Sequence, residues 1–158
     1  MDVDASLTNN NNAACGGLAK NTKGEWIRGF TYNLGNFPIN IAEIKAIQFG
    51  VETCRSMNIE KAHIFSNSLN DLNFVYKGVL SSHPFYDEIR AVQNLAITKK
   101  DYKILYAPHE AALCANFLAK QGHHHACELI QLFEIPKKCE AYLLIDKSGT
   151  MPIACNLL

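Results

Sequence analysis

The chain has 158 residues and a mass of 17.6 kDa, enough for one domain whose apolar core needs no disulfide staples. Fifteen basic residues balance fifteen acidic ones, so bulk charge gives no drive toward DNA, RNA or an anionic membrane. No apolar run approaches a membrane span, and the N-terminus has neither the basic nor the hydrophobic region of a secretory signal. The six cysteines contain no C-x-x-C pair, which argues against a zinc ribbon or a thioredoxin motif. We therefore expect reduced thiols in an intracellular protein, nuclear or cytoplasmic, monomeric and independent of membranes.

Asp2 to Leu7 alternates and predicts a strand, with the polar tract Asn9 to Asn12 as the turn after it, since Asn tolerates left-handed backbone. Cys15 to Ala19 and Glu25 to Tyr32 read as two strands joined through Asn21-Thr22-Lys23-Gly24, a fair hairpin signal. Within the second, Trp26, Phe30 and Tyr32 alternate with polar residues and predict one packed sheet face rather than a platform for stacking bases.

The character changes at Pro38. Ile41, Ile44, Ile47, Val51 and Cys54 recur at helical spacing, with Asn40 as the candidate cap. Glu43, three residues after Asn40, stands where a capping-box carboxylate would. Lys61 to Ser66 predicts a short strand, Leu69 to Val79 and Pro84 to Ile97 two helices, and Tyr102 to Tyr106 a fifth strand. Lys99, Lys100 and Lys103 form a small basic cluster, read as a solvated loop with a phosphate contact as the alternative.

Glu110 to Lys120 predicts the last long helix, closed by Gly122 at a C-cap position. His123-His124-His125, with Cys127 nearby, reads as a solvated helix end, because adjacent helical residues point about 100° apart and cannot converge on one ion. Leu129 to Phe133 either extends or follows that helix, and Ala141 to Ile145 is apolar enough to dock. The order β-β-β-α-β-α-α-β-α predicts an α/β (α+β) fold, a mixed five-stranded sheet with helices on both faces. It would occupy 1–122, with a tail, 123–158, packed on it or trailing it.

That order, together with Gly24-x-Trp26-x-x-Gly29-Phe30, Ala42-Glu43 and Glu110-Ala111…Cys114-Ala115-x-x-Leu118-Ala119, resembles the ribonuclease H-like family. It looks most like the plant, reverse-transcriptase-like branch, and the likeness to the family runs from Met1 to about Gly122. Phe133 to Pro136 and Asp146-Lys147-Ser148-Gly149 are similar to tails in that branch. The resemblance implies endonuclease activity on the RNA strand of an RNA–DNA hybrid. Four carboxylates would hold two Mg2+ (or Mn2+) ions, one activating the attacking water and the other stabilising the leaving oxygen.

On this resemblance Asp4 and Glu43 match the first two catalytic, metal-binding acids. Asn67, in Phe65-Ser66-Asn67-Ser68, stands where the family has the aspartate of Ser-Asp-Ser, and Asn116 where the last helix carries an aspartate. An amide keeps the shape of a carboxylate and loses its charge, so both are expected to persist as hydrogen-bonding isosteres. Losing one carboxylate from such a site costs on the order of 2–4 kcal/mol, or about 10²–10³ in rate. His109-Glu110-Ala111-Ala112 also lacks the Asn of the family's Arg-Glu-x-Asn, Tyr106 replaces a frequent histidine, and the chain starts almost on the first acid, as a truncated first strand would. The implied activity is weak binding of hybrid or other nucleic acid with cleavage weak or lost, together with the metal. The alternatives are a non-catalytic interaction module and a nuclease that works with one metal and tolerates Mn2+ better than Mg2+.

Overall fold

In the computed structural model, which describes residues 1–97 and 101–147, β1 (Asp2–Leu7), β2 (Asn12–Lys20) and β3 (Trp26–Asn36) form the expected antiparallel meander. Its turns follow from the asparagines. Asn11 takes a φ of 58°, and the Asn21 side-chain oxygen accepts the backbone N–H of Lys23 at 3.0 Å and of Glu25 at 2.9 Å. β4 (Ala62–Ser66) pairs parallel with β1, and β5 (Tyr102–Tyr106) parallel with β4.

The sheet has six strands rather than five, in the order β5-β4-β1-β2-β3-β6. The sixth is β6 (Leu129–Leu132), antiparallel to β3, in the region read as an extension or sequel of the last helix. A four-residue run with three aliphatic members has no usable period, and what fixes it as a strand is the free edge of β3.

Strand alternation sorts the core into two layers. Val3 and Ala5 of β1 and Ala13 and Cys15 of β2 pack with α1 (Ile39–Ser56), α2 (Leu69–Lys77) and α3 (Tyr86–Ile97). Leu18 faces the opposite layer, α4 (Leu113–Gly122) and α5 (Lys137–Lys147), where it meets Leu118, Cys114, Cys139 and Leu143. Helices thus cover both faces, and the segment Ala141 to Ile145 docks as part of α5.

Three local expectations are corrected. Trp26 does not share a face with Phe30 and Tyr32: it belongs to the α4/α5 layer, while Phe30 and Tyr32 meet Phe49 of α1. The register passes from Ala19–Arg28 to Lys20–Trp26 and skips Ile27, and such a bulge reverses every side chain beyond it. The last helix is broken as well, into a 3-10 turn (His109–Ala111) followed by α4. Gly122 is the final residue of α4 rather than its left-handed cap, and a Cβ there would lie 2.9 Å from the Tyr32 carbonyl oxygen, so its role is close approach. Lys99 and Lys100 of the basic cluster, and Ser148-Gly149, lie outside the described residues; Lys103 is exposed on β5.

Candidate functional site

The site begins with how tightly α4 sits on the sheet. Asp4 is paired with Gly16 in register, and a Cβ on Gly16 would lie 2.4 Å from the backbone nitrogen of Ala119. Only a residue without a side chain lets the α4 backbone come that close, and Thr31 fastens it by donating to the Leu118 carbonyl at 2.8 Å. Asn116, in the first turn of α4, is thereby carried to the β1 carboxylate.

Asp4 is 1 % exposed, and both its oxygens are engaged. Oδ1 accepts the Ala5 N–H at 2.9 Å and Asn67 Nδ2 at 3.2 Å, and Oδ2 accepts Asn116 Nδ2 at 2.9 Å. A carboxylate only accepts, so each amide must present its nitrogen to it. Asn67 Nδ2 is also 2.9 Å from His109 Nδ1. That nitrogen can accept the second Asn67 N–H in the tautomer that carries the imidazole proton on Nε2. The same ring nitrogen lies 3.6 Å from Asp4 Oδ2, beyond ordinary hydrogen-bond distance.

Glu43 approaches from α1. Its capping role is overturned: α1 starts at Ile39, its first bond runs from the Ala42 N–H to the Pro38 carbonyl, and no side chain caps it. Pro38 takes the position before the helix, so Glu43 falls beyond the first turn. Its Oε2 is buried without a hydrogen-bond partner among the described residues. Burial above all, then repulsion from Asp4 and Asp71, pushes the carboxyl up to about 8. At pH 7 Glu43 is therefore mostly protonated.

That shift has a signed consequence. Folded Glu43 keeps a proton that the unfolded chain, at an ordinary 4.5, releases. Its contribution to stability is therefore fully present below pH 4.5 and is lost as pH rises toward 8. The cumulative loss is roughly 2–4 kcal/mol after allowing for relaxation around the group. Urea unfolding at a series of pH values across that interval should show a downward slope that Glu43→Gln removes; parallel curves for the two proteins would contradict the assignment.

Sequence reasoning placed Asp4, Glu43, Asn67 and Asn116 together, and the structure brings the two amides onto Asp4. It missed His109 and Asp71. Asp71 is 1 % exposed in the first turn of α2 and accepts the Ser68 hydroxyl on Oδ2, while the Ser68 oxygen caps the helix by accepting the Asp71 N–H. Burial raises the Asp71 carboxyl above its ordinary range, and the Ser68 bond partly opposes this. Ser68-x-x-Asp71 is a readable cap signature. Ser68→Ala should cost about 1 kcal/mol, measurable as a lower unfolding midpoint. His123 also departs from expectation: its Nδ1 is 3.0 Å from Asn12 and its Nε2 3.1 Å from Ser6, whereas His124 and His125 are exposed.

The donor set does not fit a pair of divalent ions. The central carboxylate faces amide nitrogens on both oxygens, and among the described residues no three His, Cys, Asp or Glu side chains converge as ligands. A mixed sheet with helices on both faces, carrying one acid on its central strand and partners at the neighbouring β4 and α4 positions, defines a ribonuclease H-like fold. The chain belongs to the reverse transcriptase-like family, whose model matches residues 2–122.

Solved structures carry the same fold at low sequence identity. Ribonuclease H1 from Halobacterium salinarum NRC-1 superposes with a TM-score of 0.72 at 17% identity, over 79% of this chain and 96% of that one. LC11 ribonuclease H1, solved in complex with an RNA/DNA hybrid, gives 0.67 at 16%, over 76% and 92%. The prototype foamy virus protease-reverse transcriptase gives 0.64 at 19%, over 79% of this chain and 20% of that one. No curated protein matches the sequence.

Proposed function

We propose that the protein is a ribonuclease H-type domain that binds RNA–DNA hybrid and cuts it weakly or not at all. The observation that carries this reading is the saturation of Asp4: amide donors from Asn67 and Asn116 occupy the two oxygens that a catalytic ion would need. Glu43, the other remaining family acid, is mostly protonated near neutrality, so the site lacks the charge on which phosphodiester hydrolysis by two ions depends. Recognition of hybrid needs less. It draws on duplex shape and 2′-hydroxyl contacts, which a retained fold can still supply. The LC11 relative was solved on such a hybrid. A monomeric nuclear or cytoplasmic protein is the setting we infer with it, supported by the free thiols of Cys15, Cys54, Cys114, Cys127 and Cys139.

The balanced charge predicts few phosphate contacts. Fluorescence anisotropy with labelled hybrid should show binding that weakens about tenfold between 50 and 200 mM salt, as release of roughly two counterions would give. DNA duplex of the same sequence should bind more weakly. Indifference to every nucleic acid would favour the alternative of an interaction module on the same scaffold.

A further inference from the structure

A cleft of about 350 Å³ opens between α2, α3 and the edge strand β5. Val75 and Ile104, both buried, supply apolar lining, and Tyr76 and Tyr102 supply two aromatic rings. Each ring is pinned through its hydroxyl: Tyr76 donates to the Ile104 carbonyl, and Tyr102 to the Ile59 carbonyl at 2.5 Å. The charged group of the lining is Arg90, and Gln93 positions it. The Gln93 amide nitrogen donates to the Val75 carbonyl at 2.8 Å, and its oxygen accepts Arg90 Nη1 at 3.1 Å. A guanidinium carries five N–H donors, and Arg90 makes no ion pair among the described residues. A preformed apolar cleft with one oriented, unneutralised cation is complementary to a flat ring that bears one negative charge.

We propose that this cleft binds a small planar carboxylate, its ring among Tyr76, Tyr102 and Ile104 and its charge on the Arg90 guanidinium. The volume falls at the small end of the range for small-molecule sites, which suits one or two fused rings. The planar fork of a guanidinium matches a carboxylate through two parallel bonds, a geometry that a simple point charge would not select. An extended peptide added to the β5 edge is a poorer occupant, because Tyr76 already takes the Ile104 carbonyl that an added strand would use. The cleft is also separate from the amide cluster on Asp4. Tyr102 pairs with Ala62 at the start of β4, whereas Asn67 follows the end of that strand. Binding here therefore does not rest on hybrid recognition.

The test is calorimetric titration of the full chain with 2-naphthoate, with 2-naphthamide as its uncharged counterpart. Naphthoate should bind one-to-one with a Kd of about 0.1–1 mM, and the amide about tenfold more weakly. Arg90 is exposed, so Arg90→Gln should keep the native circular dichroism while weakening naphthoate binding about tenfold. Ala96→Leu adds bulk to the lining and should weaken both probes. Lys23→Gln, in the exposed β2–β3 turn, should leave naphthoate affinity within about twofold of native. Four outcomes would overturn the proposal. These are no saturation by about 5 mM naphthoate, equal affinity for the amide, undiminished binding by Arg90→Gln, or a loss in Lys23→Gln as large as in Arg90→Gln. The last would reduce the effect to general attraction toward positive charge. Unchanged binding by Ala96→Leu would place the ligand elsewhere and overturn it as well.

Discussion

The double substitution Asn67→Asp/Asn116→Asp is expected to raise cleavage of RNA–DNA hybrid in Mg2+ by at least about 10²-fold over the native chain. Each amide now donates to Asp4, at 3.2 and 2.9 Å. Each restored aspartate would replace a donor with an acceptor of like charge, turning a self-satisfied cluster into one that needs cations. One carboxylate in a divalent-ion site is worth on the order of 2–4 kcal/mol, so two restore far more than any gain from local repacking. The same change has a cost without metal. Carboxylates crowded against Asp4 should lower the stability of the metal-free protein by about 2–4 kcal/mol, and Mg2+ should recover most of it. A revertant that is no less stable in chelator than the native chain would show that the amides do not hold Asp4 as described.

Gly16→Ala should be the most damaging small substitution in the sheet. Its new methyl would sit 2.4 Å from the Ala119 nitrogen and 2.5 Å from the Leu118 carbonyl carbon, both backbone atoms that no rotamer change can move. α4 must therefore retreat from β2, stretching the Thr31–Leu118 bond and drawing Asn116 off Asp4. We expect a loss of about 3 kcal/mol, near the upper end for overpacking, and an unfolding midpoint lower by roughly 6–12 °C. Thermal unfolding followed by circular dichroism checks this. A shift under about 2 °C would mean that α4 does not press on the sheet at Gly16.

Most of the architecture was legible because its signals are local. The asparagine turns, the helical recurrence of Ile44, Ile47 and Val51, and the alternation in β1 each act within a few residues. What escaped depends on distant partners. β6 is a strand because β3 offers an edge, and Trp26 changes layers because one bulge at Ile27 breaks a period of two. The start of α1 was misplaced because Pro38 outcompeted Asn40 for the position before the helix, and that error had made Glu43 look like a cap. The four family positions were readable only through the resemblance, since two of them are amides without a chemical signature of their own. Asp71 was legible as the partner of the Ser68 cap but not as a buried acid. One polar residue in a helix turn carries no sign of being buried until α1 packs beside it.

The measurement that bears most directly on this account is cleavage of a labelled RNA–DNA hybrid by the native chain and by Asn67→Asp/Asn116→Asp, side by side in Mg2+ and in Mn2+. The account predicts little or no product from the native chain in either metal and clear cutting by the double variant. Native cleavage as fast as that of the double variant would contradict it, since the amides would then be serving as competent ligands and Asp4 would not be closed by them.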